Sequence, residues 1–146
     1  MKIHFYETTD PKYGCFSNFS RHAFELDGLL WPTSEHYFQA LKFEGTPHVE
    51  EIRAADKPMT AARMGRERSR PLRPDWEQVK DDVMRRALRA KFEQHPALRQ
   101  ILLDTGKAEL VEQTTDDYYW GVGAEGTGKN MLGILLMELR EALPKP

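Results

Sequence analysis

Residues 33–43, TSEHYFQALKF, carry a carboxylate, a carboxamide and an amine at Glu35, Gln39 and Lys42 within an otherwise apolar run. Wound as an α-helix, at about 100° per residue, these three side chains fall within roughly 60° of one another. His36, Tyr37, Phe38, Ala40, Leu41 and Phe43 fill the remaining faces, so such a helix must be buried on most sides. A carboxylate and an amine stacked on a buried helix either pair and do nothing further, or line a polar pocket. In the silent version Glu35 favours the positive helix N-terminus and Lys42 snorkels out to solvent. In the other they supply a general acid or base and a nucleophile.

Three further segments could act on a substrate. Asp116 and Asp117 precede Tyr118, Tyr119 and Trp120, and a carboxylate set against rings is one whose proton affinity rises toward that of a working acid. Asp is also a turn residue, and for Asp117 both readings stand. Next, Gly121 to Asn130 (GVGAEGTGKN) must be a loop opening the last helix, so its amides could cradle a phosphate there. Gly123, Gly128 and Lys129 fit the nucleotide-binding spacing, but Asn130 stands where that loop needs a hydroxyl for magnesium, which argues against a P-loop NTPase. Last, Arg63, Arg66, Arg68, Arg70 and Arg73 lie in a stretch whose one acid is Glu67. Guanidinium groups suit phosphate, although a solvated loop would read the same. Trp31, Trp76, Trp120 and Phe16 offer planar faces for a base, and at least half of them should be core.

Other chemistries are poorly supported. The five histidines, His4, His22, His36, His48 and His95, show no ligand spacing with Cys15 or with carboxylates, so no metal and no cofactor are expected. Ser17, Ser20 and Ser34 lack a nucleophile elbow.

The elements that must position these residues follow from pattern. Asp27-Gly28 between apolar runs in 23–33 signals a hairpin, and with the weak alternation of residues 2–7 predicts a small antiparallel sheet. Thr33 or Ser34 caps a helix to about Glu44, which breaks over Gly45 to Pro47. Helices are expected over 48–56, 59–66 and 75–94, the last with Val79, Val83, Met84, Ala87, Leu88 and Phe92 as its core face. A helix over 96–105 should stop at Gly106, a strand could occupy 109–114, and a buried helix should run from Met131 to Leu143. The 146 residues are 40% apolar and 30% charged, which fits one α+β, mostly helical domain over 1–146 that folds without disulfides. Cys15 is the single cysteine, the first residues lack the features of a secretory signal, and no apolar run reaches membrane-spanning length, so the expectation is cytoplasmic. With 21 basic and 23 acidic residues, any anion site must be local.

FSNFS at 16–20, WPTSEHYFQALKF at 31–43, Met64-Gly65-Arg66, Asp75-Trp76, VMRRALRAKFEQ at 83–94, LLDTG at 102–106 and WGVGAEGTGKNMLGILLMELR at 120–140 together resemble the NADAR, or YbiA-like, family. The match runs in order over almost the whole chain. The resemblance implies a YbiA-like fold and an N-glycosidase acting on bases linked to phosphorylated ribose, such as early riboflavin-pathway intermediates. Other members of the family remove ADP-ribose from guanine in nucleic acid. It points to Glu35, Trp76 and Asp117 as active-site positions with Lys42 beside them. Asn18, Gln39, Arg66, Trp120, Gly121, Gly128, Lys129 and Asn130 are expected to bind substrate.

Cleaving a C1′–N bond needs a proton for the departing base, a pocket tolerant of positive charge on the sugar, and a nucleophile. Either Glu35 and Asp117 share the acid and base roles while Trp76 stacks on the base, or neutral Lys42 attacks C1′ and forms a Schiff base. The expected partner is a small ribosyl-phosphate N-glycoside, with ADP-ribosylated nucleic acid as the alternative substrate and no membrane. A module that binds ADP-ribose without cleaving it is the competing class, and it would not need Glu35, Lys42 and Asp117 together.

Overall fold

The computed structural model describes residues 1–145; Pro146, the last residue of the expected domain, lies outside the described residues. The chain divides into two compact units: Arg21–Gln94, and Met1–Ser20 together with the chain from His95 onward.

The first of these opens with a hairpin of β2 (Phe24–Leu26) and β3 (Leu29–Trp31), in which Phe24 faces Trp31 and Leu26 faces Leu29. Asp27 and Gly28 both take positive φ, 57° and 78°, as the two central positions of a type I′ turn require. The Asp27 carboxylate accepts the Tyr37 hydroxyl at 2.8 Å, tying the turn to the next helix. That helix, α1 (Ser34–Ala40), is buried along all seven residues, with α2 (His48–Arg53), α3 (Pro58–Gly65) and α4 (Trp76–Gln94) packed around it. Thr33 caps it, accepting the His36 amide at 3.1 Å. Val83, Met84, Ala87, Leu88 and Phe92 form the buried face of α4, whereas Val79 is half-exposed.

One boundary differs from expectation. In place of an α-helix to Glu44, the chain tightens into a 3₁₀ turn over Leu41–Phe43 before Gly45 turns it away at φ 84°. Arg73 explains this from outside: its side chain donates to the Leu41 carbonyl at 3.3 Å and its amide to the Lys42 carbonyl at 3.1 Å, taking acceptors that a continuing helix would use.

In the second unit β1 (Lys2–Phe5) pairs with β4 (Glu109–Glu112), from Lys2 against Glu109 to Phe5 against Glu112. The pairing is parallel, which corrects the antiparallel sheet expected of residues 2–7. The alternation of a short strand identifies it as a strand but carries no information on its partner, here about a hundred residues away. α5 (Pro96–Asp104) ends before Gly106 at φ 63°, and α6 (Met131–Ala142) packs on β4 and α5. The fold is α+β and mostly helical, with one antiparallel and one parallel strand pair among the described residues. No helix among these residues is long and apolar enough to cross a membrane, and none of their His, Cys, Asp and Glu side chains form a group able to hold a metal.

Candidate active site

Helix α1 is pinned before it presents any functional group. The His36 ring is fully buried, with Nδ1 2.8 Å from the Thr33 hydroxyl and Nε2 2.9 Å from the Ala55 carbonyl. A carbonyl only accepts, so Nε2 carries the proton and Nδ1 takes the hydroxyl's. Burial holds the imidazole below its usual range and therefore neutral. One turn is thereby anchored at both its cap and its side, and Glu35 sits within it.

Glu35 is 7% exposed, and its Oε2 accepts from Gln39 Nε2 at 2.7 Å, one turn along. The other end of that carboxamide, Oε1, is buried with no hydrogen-bond partner and lies against Gly65, where a Cβ would overlap it. Lys42, beyond the helix in the 3₁₀ turn, donates to the Gly65 carbonyl at 3.4 Å and places Nζ 5.8 Å from the centre of the Phe38 ring. Trp76, the first residue of α4 and 5% exposed, meets the Phe38 ring edge-on at 5.1 Å.

The stripe expected from the sequence therefore exists, and the silent pairing does not describe it: Lys42 donates to a carbonyl rather than to Glu35. Burial, the largest cause, pushes the Lys42 ammonium down to about 8; Glu35 opposes this, and Arg66, Arg68 and Lys80 reinforce it. At pH 7 roughly one such amine in ten is neutral, against fewer than about one in a thousand for an ordinary lysine.

Four of the five arginines separate by partner. Arg73 is bidentate to Asp75, at 2.6 and 3.0 Å, and reaches Glu44 at 2.9 Å. Arg70 pairs with Glu51 and His48. These two serve the fold. Arg68 donates to the Arg66 carbonyl at 3.2 Å, and both act electrostatically on Lys42. Sequence reading had Arg68 within the arginine run but missed Lys80. The available signal was Lys80 lying four residues after Trp76, hence on the same face of α4. It also missed Gly65, whose missing side chain admits Gln39. Of the four planar residues, Phe16, Trp31 and Trp76 are buried, where at least half were expected to be core.

The remaining expected positions lie in the other unit. Asp117 Oδ1 accepts the amides of Tyr119 at 3.0 Å and Trp120 at 2.8 Å, and its carbonyl accepts the Thr114 hydroxyl at 2.6 Å, so turn chemistry is present. Trp120 is half-buried and meets Tyr119 edge-on at 4.9 Å, and Asn18 is buried in the loop after the 3₁₀ turn Gly14–Phe16.

The amides at the end of the glycine-rich segment, where α6 opens, are bonded within the loop. Those of Gly128, Lys129, Asn130, Met131 and Leu132 donate to the carbonyls of Val122, Tyr118, Gly121, Tyr119 and Trp120, at 2.7 to 3.1 Å. Gly128 is needed because a Cβ there would overlap the Gly121 carbonyl. Asn130 uses its side chain on β4, accepting the Glu112 amide at 2.9 Å and donating to the Leu110 carbonyl at 2.8 Å. The Lys129 ammonium lies 5.4 Å from the centre of the Tyr119 ring.

Comparison with known proteins places these observations in a lineage. The chain is 62% identical over 141 residues to N-glycosidase YbiA of Escherichia coli, covering 97% of this chain and 88% of that protein. The NMR structure of E. coli YbiA superposes with a TM-score of 0.89 at 60% identity, over 97% of this chain and 86% of that one. Riboflavin biosynthesis protein PYRR of Zea mays is 45% identical over 97% of this chain, which corresponds to 25% of the maize protein. A family model described as the NADAR domain matches residues 4–144, and the chain belongs to that family.

Proposed function

We propose that this chain is an N-glycosidase, a hydrolase that breaks the C1′–N bond between a base and a phosphorylated ribose. The observation that carries the reading is a buried carboxylate on α1 and a half-buried, proton-poor amine in the 3₁₀ turn that follows it, which are not spent on each other. A binding module has no use for such a pair. The names of the E. coli and maize relatives support the bond type and the link to riboflavin intermediates.

In this reading Glu35 delivers the proton that the departing base needs, with Gln39 fixing which carboxylate oxygen faces the substrate. Trp76 bounds the base. The depressed ammonium favours the covalent version: neutral Lys42 forms a bond to C1′ as the C1′–N bond breaks, and the base leaves with the electron pair and a proton. Loss of the amine's proton and opening of the sugar ring at O4′ give a Schiff base, which water resolves to free lysine and the sugar. Asp117 enters as second carboxylate on resemblance, as do Asn18, Trp120, Gly121, Gly128, Lys129 and Asn130 as substrate-binding positions.

The test is incubation with a riboflavin-pathway ribosylamine phosphate and, separately, with ADP-ribosylated guanine in single-stranded DNA, following free base and free sugar by mass spectrometry. Release from the first is expected, and release from the second alone would move the substrate to nucleic acid. Glu35→Gln should lower kcat by about 100-fold or more; full turnover in that variant, or binding of both compounds without release, overturns the reading.

A further inference from the structure

Lys42 sits among more positive charge than its own helix supplies. Arg66 follows Gly65, whose carbonyl accepts from Lys42, and Arg68 folds back to the Arg66 carbonyl at 3.2 Å. From the opposite side α4 brings Trp76 against Phe38, and Lys80 lies one turn below Trp76 on the same face. The charged groups that act on Lys42 are thus Glu35 from α1, Arg66 and Arg68 from the loop after α3, and Lys80 from α4. Four cations gather near Glu35, with Glu77 on Lys80 as the other carboxylate, in a protein whose formal net charge is −2.

A fold does not hold such an excess for its own stability. The neighbouring arginines show the contrast, because Arg73 has Asp75 and Glu44, and Arg70 has Glu51 and Glu67. Lys80 is paired with Glu77 at 2.7 Å, but that carboxylate is 72% exposed, a surface pair that an anion of higher charge can displace. Lys80 itself keeps only 15% of its side chain exposed, so its ammonium is held in place, while Arg66 and Arg68 are exposed arms able to close on a ligand.

We propose that Arg66, Arg68 and Lys80 form a phosphate subsite beside Lys42, which takes the phosphate ester or pyrophosphate carried by the substrate's ribose. The amides of Gly128 to Leu132, already bonded within the loop, are then not what holds the phosphate. Two guanidinium groups and an ammonium match the three non-bridging oxygens of a phosphomonoester. The proposal deepens the N-glycosidase reading, and rests on it for the identity of the substrate, but the anion site can be measured without turnover.

The experiment titrates the full chain with inorganic phosphate, ribose 5-phosphate and ADP-ribose by calorimetry, for wild type, Lys80→Gln, Arg68→Gln and the double variant. Lys107→Gln, an exposed lysine of the other unit, controls for net charge, and circular dichroism checks folding. Each subsite variant is expected to weaken phosphate binding roughly tenfold, and the double variant more, with Lys107→Gln unchanged. Preference for a phosphorylated over an unphosphorylated riboside should fall by a similar factor, through KM. Tighter binding of ribose 5-phosphate than of ADP-ribose assigns the subsite to a phosphomonoester, and the reverse order assigns it to a pyrophosphate; both support it. Unchanged phosphate affinity in the folded double variant overturns the subsite, as does equal weakening by Lys107→Gln. Phosphate binding lost in the variants while wild type cleaves no riboside would keep the subsite and remove the glycosidase reading.

Discussion

Lys42 is the residue whose behaviour most sharply tests the mechanism. Its ammonium is pushed down to about 8, so the neutral fraction in the free enzyme rises about fivefold between pH 7 and pH 8. We expect kcat/KM, which reports the free enzyme, to climb with that limb and level off above it, and Lys42→Arg to abolish it. A rate that falls through pH 8 would instead make the ammonium the working form. Stability follows the same group: between about 8 and its unfolded value the unfolded chain holds the extra proton, so raising pH through that window favours the fold. Gly65 gives a second test. Gly65→Ala forces a methyl into the Gln39 carboxamide, and a loss of about 1–3 kcal/mol with a lower kcat is expected, read by thermal melts and initial rates. The Glu35, Gln39 and Lys42 stripe was legible in the sequence because Glu35 and Gln39 obey the period of α1 and Lys42 follows in the next turn. That Arg68 and Lys80 both bear on Lys42 was not legible, because their fields meet only after separate elements have packed.

Elements were legible where a local signal fixed them. Asp27-Gly28 specified its turn through φ alone, and the Thr33 cap fixed the start of α1 without help from elsewhere. What failed to show was any feature decided by a distant partner. The α1 helix tightens because Arg73, thirty residues on, claims its carbonyls, and the glycine loop closes on itself because its amides find the carbonyls of 118–122. Asn130 is the clearest case: read as a misfit magnesium ligand, it stitches the start of α6 to β4 from a left-handed backbone at φ 55°. Asn130→Ala should therefore cost about 2–4 kcal/mol, as two buried backbone groups lose their partner, and denaturant titration with amide exchange at Glu112 would measure it. A stability unchanged by that substitution would leave Asn130 with its substrate-binding role alone.

At the scale of the whole molecule, a near-balance of 21 basic and 23 acidic residues conceals a local excess of cations, which is why bulk charge said little about the ligand. Organisation was hidden for a related reason, since composition is even along the chain while Arg21–Gln94 forms a unit of its own and the rest is assembled from both ends. The parallel pairing of Lys2 with Glu109 carries that arrangement into time. A chain made at roughly 5–20 residues per second leaves β1 waiting about 5–20 s for β4 to be synthesised, whereas the β2–β3 hairpin and α1 need only their immediate neighbours. Nascent chains halted after residue 94 should accordingly protect the amides of α1 and leave those of Lys2–Phe5 exchanging freely, a difference that pulse labelling on stalled ribosomes would read. The order of birth makes the helix that bears Glu35 among the earliest parts of the protein to form, and the first strand among the last.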